Sequence, residues 1–99
     1  VKPGPNQFYL TAQIAEAQAM RFTPAGIPSL SLILVHESEV QEAGQARQVR
    51  AEIKAVAFGA VAEQLAVQTL GSNWNFVGFL AQARLGKQLV FHIQQFRSD

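Results

Sequence analysis

A chain of 99 residues, 48% of them apolar, has material for one hydrophobic core and no surplus for a second, so a single domain is expected. Its formal net charge of +1 excludes a uniformly cationic molecule, and any attraction for phosphate must come from a local concentration of Lys and Arg. Cysteine is absent, which excludes disulfides, thiolate catalysis and sulfur-ligated metal sites and fits a reducing, cytoplasmic setting.

Residues 1–5, Val1-Lys2-Pro3-Gly4-Pro5, are expected to form a flexible N-terminal segment ahead of one domain spanning 6–99. No apolar run follows them, so they do not read as a signal peptide, and no stretch is long enough to suggest a membrane helix. Phe8, Leu10, Ala12 and Ile14 are apolar at every second position, the mark of a half-buried strand, which is expected to continue, bent, to about Phe22. Thr23-Pro24-Ala25-Gly26-Ile27-Pro28 is a turn, because its prolines remove ladder donors. Ser29 to His36 alternates again around Leu30, Leu32 and Leu34.

Glu37 to Ala46, mostly polar and containing Gly44, is expected to be a projecting loop. Val49, Ala51, Ile53 and Ala55 alternate with Arg50, Glu52 and Lys54, marking a third strand with a charged outer face. After Gly59 the period changes: Val61, Ala62, Leu65 and Ala66 predict a short helix over residues 60–69 that ends near Gly71. Trp74, Phe76, Gly78 and Leu80 form a fourth strand, Leu89, Phe91 and Ile93 a fifth, and Arg84 to Lys87 the hairpin between them. Three strands, a helix and two strands match an all-β, five-stranded Greek-key OB-fold barrel with one short helix between strands three and four. An SH3-like barrel has no natural place for that helix.

No catalytic set emerges. His36 and His92 lie far apart in strands without a third fixed ligand, the serines lack a nucleophile-elbow context, and no Gly-rich phosphate loop occurs. Neither a metal nor a cofactor is expected, and the chain does not read as an enzyme. The basic residues Arg21, Arg47, Arg50, Lys54, Arg84 and Lys87 are spaced so that an OB barrel can bring most of them to one groove, although spacing alone leaves open a merely solvated face. Binding single strands without regard to sequence also calls for aromatic platforms. Tyr9, Phe22, Trp74 and Phe79 are the candidates; Trp74 has core parity, and Phe79 the opposite parity that suits a platform.

The segments Met20-Arg21-Phe22-Thr23-Pro24-Ala25-Gly26-Ile27-Pro28, His36-Glu37-Ser38, Glu42-Ala43-Gly44, Arg47-Gln48 and Gly78-Phe79-Leu80 together resemble the primosomal replication protein N family, relatives of the bacterial single-stranded DNA-binding proteins. The resemblance covers nearly the whole chain. It implies an OB-fold homodimer that binds single-stranded DNA, associates with the restart helicase PriA and helps recruit the helicase-loading partner DnaT. By position it assigns DNA contacts to Arg21, Arg47, Arg84 and Lys87. An exposed first strand also offers unpaired backbone groups that a twin strand satisfies, with Tyr9, Thr11 and Gln13 as the expected edge side chains. The alternatives are an OB-fold protein-interaction module that binds DNA weakly, and a general single-strand-coating protein, which is expected to carry a long tail beyond Arg97-Ser98-Asp99.

Overall fold

The computed structural model describes residues 4–98, so most of the expected flexible segment 1–5 lies outside the described residues. The elements are β1 (Phe8–Ala17), β2 (Arg21–Phe22), β3 (Pro28–Glu42), β4 (Gln45–Phe58), α1 (Ala60–Ala66), β5 (Asn73–Gln82) and β6 (Leu89–Arg97). Five long strands close into a barrel. β1 runs antiparallel to β5 on one side and to β3 on the other, β3 pairs with β4, and β5 pairs with β6. A short parallel contact, Ala55 with Phe91 and Val56 with His92, joins β4 to β6 and completes the ring. This is the Greek-key OB barrel, its helix lying between the third and fourth long strands.

The alternating apolar residues fill the interior: Ala12 and Ile14 from β1, Leu30, Leu32 and Leu34 from β3, Ala55 and Ala57 from β4, Phe76 from β5, Phe91 and Ile93 from β6. Large rings from β5 and β6 share this interior with small alanines from β1 and β4, the mix of sizes that lets pleated walls pack closely. Ala62 and Leu65 of α1 are buried in the same cluster. Trp74 is half-buried, packs edge-on against Phe96 at 5.0 Å and donates its indole N–H to Ser72 Oγ at 2.8 Å.

Three boundaries differ from the expected ones. The first strand ends at Ala17, after a register shift between Ile14 and Glu16, and Arg21–Phe22 forms a separate two-residue strand paired with Ser29 and Pro28. The helix stops at Ala66 rather than near residue 69, because the chain after it is captured by β1: Gly71 N–H bonds to Ile14 O at 2.7 Å and Ile14 N–H to Ser72 O at 3.0 Å.

The third difference is the largest. Residues 37–46 are not a loop but the outer part of a long hairpin, paired without a break from Ser29 with Phe58 to Glu42 with Gln45. Ala43 (φ 54°) and Gly44 (φ 77°) make its two-residue turn, both in the left-handed region that such a connection requires. Beyond the barrel this arm is exposed on both faces, so no burial imposes the apolar alternation by which strands are read.

Gly78 sits at the register shift between β5 and β6. A Cβ there would lie 1.8 Å from the carbonyl oxygen of His92, a backbone atom that cannot move aside. Gly78→Ala is therefore expected to destabilise the fold by about 3 kcal/mol or more, at the upper end of ordinary overpacking. The corresponding fall in melting temperature is at least about 12 °C for a domain of this size, measurable by circular dichroism.

Candidate nucleic-acid interface

Directly opposed residues of neighbouring strands put their side chains on the same side of a sheet, so the pairing registers say which residues share the outer face. Arg21 opposes Ser29, and Ser29 opposes Phe58. Two residues along β4, Val56 opposes both Ser31 and His92, and His92 opposes Phe79 on β5. Further down β4, Lys54 opposes Ile33 and Arg50 opposes Glu37. One continuous outer face thus carries Arg21, Phe58, His92, Phe79, Lys54 and Arg50.

A groove of about 270 Å³ crosses this face, lined among others by Glu16, Gln18, Ser31, Ile33, Val56 and Val90. Lys54 lines it as well, and it also lines a second depression of about 420 Å³ that opens off this face, between Glu52, Gln88 and Leu89 and the core-packed Phe8, Ile53 and Leu80. The ammonium of Lys54 donates to Gln88 Oε1 at 3.0 Å, which holds the loop between β5 and β6 against β4. Arg84 and Lys87 are exposed on that loop, and among the described residues neither they nor Arg21 is in an ion pair.

The aromatic arrangement departs from a lone platform at Phe79. Phe79 is half-buried, and one face of its ring is covered by the imidazole of His92 at 4.8 Å and 13°. On the other side of His92 stands Phe58, at 6.0 Å and 27°. The three rings form a stack across β5, β6 and β4 that ends at Phe58, 44% exposed. A base extending this stack meets Phe58 or the far face of Phe79. Reading the chain residue by residue misses Phe58 and His92, because their meeting depends on which strands become neighbours. Tyr9 and Phe22 are exposed but have no ring partner among the described residues.

Not every basic residue joins this face. Arg47 opposes Val40 and has the parity opposite to Arg50, so the two arginines lie on opposite faces of the arm. Each has an acidic neighbour: Arg47 pairs with Glu42, and Arg50 with Glu52 at 3.7 Å.

On β1, residues Phe8 to Gln13 pair with β5, while β3 joins the other side only from Gln13 onward. Among the described residues no strand lies beside the edge of residues 8–12 that faces away from β5. Tyr9 and Thr11 lie on this stretch; Gln13 is flanked by Asn73 on one side and Val35 on the other, so the open edge stops short of it.

Comparison with known proteins is consistent with this architecture. A family model described as another single-strand binding protein family matches residues 6–95. The chain is 50% identical over 93 residues to the replication restart protein PriB of Bordetella pertussis, a match covering 93% of this chain and 87% of the relative. The solved structure of PriB from Ralstonia solanacearum superposes with a TM-score of 0.88 at 35% identity, covering 97% of this chain and all of that one. A variant of the single-stranded DNA-binding protein from Thermus aquaticus superposes with a TM-score of 0.75 at 25% identity, covering 95% of this chain and 50% of that one.

Proposed function

The chain belongs to the PriB family of replication restart proteins, within the single-strand binding proteins, a family that binds DNA rather than catalysing a reaction; we propose that it holds single-stranded DNA along the outer face of β3, β4 and β6, from Arg21 to the 83–88 loop, as an accessory of replication restart. The observation that carries this reading is Lys54. It lines the groove that crosses the face, and its bond to Gln88 fastens to β4 the loop that bears Arg84 and Lys87.

In this reading Arg21, Lys54, Arg84 and Lys87 meet phosphates directly, since no carboxylate pairs with them among the described residues. Arg50 exchanges Glu52 for a phosphate. Exposed ion pairs are worth about 0–1 kcal/mol, so the exchange costs little. Arg47 reaches the same strand only where DNA passes over the edge of the arm. The stack ending at Phe58 and Phe79 supplies base contacts that tolerate any sequence, because every base has a π face.

The open edge of β1 seats a second copy of the chain, with the side chains of Tyr9 and Thr11 at the seam, which satisfies backbone groups at Tyr9 otherwise left to solvent. The protein partners are the restart helicase PriA and the helicase-loading protein DnaT, in the cytoplasm. No helix of the described residues is long and apolar enough to cross a membrane. One feature favours the alternative of a protein-interaction module with weak DNA binding: Leu85, 89% exposed, stands between Arg84 and Gly86 at the tip of the loop and offers a partner an apolar anchor.

Arg84→Ala tests the reading. For single strands, log K falls with log salt by about 0.7 per neutralised phosphate, so loss of one true contact flattens the slope by about that amount for every oligonucleotide sequence. Fluorescence anisotropy with labelled oligo-dT at several salt concentrations measures it, and an unchanged affinity and slope would move DNA off this loop. Static light scattering is expected to give twice the 10.8 kDa chain mass at micromolar concentration; a monomer would contradict the edge-paired dimer.

A further inference from the structure

The His36-Glu37-Ser38 stretch contains a histidine to which neither DNA contact nor dimer pairing gives a role. β3 runs beside β1 from Leu32, opposite Ala17, to Val35, opposite Gln13, and there the two strands part. His36 is the first residue past the last shared pair. Its half-buried ring turns back to β1: Nδ1 lies 2.7 Å from the carbonyl oxygen of Thr11, and Nε2 lies 2.8 Å from Ser38 Oγ. A carbonyl oxygen only accepts, so Nδ1 carries the hydrogen; in the neutral ring Nε2 then accepts from the Ser38 hydroxyl. One side chain therefore ties the backbone of β1, the point where β3 departs, and the second residue beyond it.

Two consequences follow from where this tie stands. Past His36, β3 has only β4 beside it, and a two-stranded ribbon twists more strongly than a strand inside a sheet. A fastening at its root is what sets the direction of such an arm. In addition, both polar backbone groups of a residue in an antiparallel strand point to the same side, and successive residues alternate. Thr11 and Tyr9 therefore share the open side of β1, and the carbonyl of Thr11 is already used.

We propose that His36 is a positioning residue: it holds the β3–β4 arm in one pose beside the DNA-binding face and closes the open edge of β1 at Thr11, so that a docking strand meets Tyr9 and the residues toward Phe8. The proposal rests on the preceding reading for the use made of arm and edge. The clasp itself is testable without DNA.

The chain has no cysteine, so nitroxide labels can be placed at will. Gln41→Cys labels the exposed arm, and Val67→Cys labels a position just past α1 that is 80% exposed. Pulsed electron paramagnetic resonance then reads the distance between them. With the doubly labelled chain diluted in an excess of unlabelled protein, so that each dimer holds at most one labelled chain, the parent is expected to give one narrow distance, and His36→Ala a distribution roughly twofold broader, as local restraint is lost. His36→Asn keeps an amide N–H near the place of Nδ1 and is expected to restore the narrow distribution. A folded His36→Ala protein with the parent's width would overturn the proposal. Should His36→Ala fail to fold, His36→Asn decides: narrow supports the clasp, broad or unfolded overturns it. A parent that binds no oligonucleotide would reject the DNA-binding reading, while the distance widths still decide the clasp.

Discussion

Among the described residues two pairs, Ala55 with Phe91 and Val56 with His92, join β4 to β6 and turn a sheet of long strands into a closed barrel. Because this pairing is parallel, the loop that precedes β6 lies at the same end as the residues that precede Ala55 on β4. That is why Gln88, on the loop that bears Arg84 and Lys87, meets Lys54. The same contact inserts His92 between Phe58 and Phe79, rings from two strands that do not pair with each other. On the other side of β6, β5 approaches its backbone so closely that position 78 has no room for a side chain. Barrel closure, the seat of the 83–88 loop against Lys54 and the ring stack therefore rest on the same pairing.

The parts of the fold that bury one face were legible in the chain. Leu30, Leu32 and Leu34, or Phe91 and Ile93, alternate because each points into a core that excludes water, and all are buried. The arm was not legible, since residues 37–42 and 45–48 have no core to face and polar residues suit both of their sides. Taking it for a loop hid a further point. Arg47 and Arg50 are an odd number of residues apart and so must diverge on one continuous strand. Gln13 shares the parity of Tyr9 and Thr11, but where β3 arrives beside β1 is set by the register shift between Ile14 and Glu16, which no single-strand pattern reveals. The stack at His92 depends on register between strands far apart in sequence, and was out of reach for the same reason.

A net charge of +1 is compatible with a phosphate-binding face because charge is distributed unevenly over the outer surface. The arm sets Glu42 against Arg47 and Glu52 against Arg50, whereas Arg84 and Lys87 on the loop stand apart from any carboxylate partner among the described residues. In the proposed reading the cations free to meet a phosphate are thus those of the loop and Lys54 rather than those of the arm. The fields of these cations act over about 8 Å at physiological salt, less than the length of the arm, so the balanced pairs there do little to offset them.

The central claim is that one outer face, from Arg21 through Lys54 to the 83–88 loop, receives single-stranded DNA. Hydrogen–deuterium exchange of the whole protein with and without saturating oligo-dT addresses it without altering a residue. The account predicts slower exchange in the 83–88 loop and in β4 around Lys54, with α1 unchanged. Slowing confined to α1 and the turn after it, or no slowing anywhere when the oligonucleotide is demonstrably bound, would contradict it.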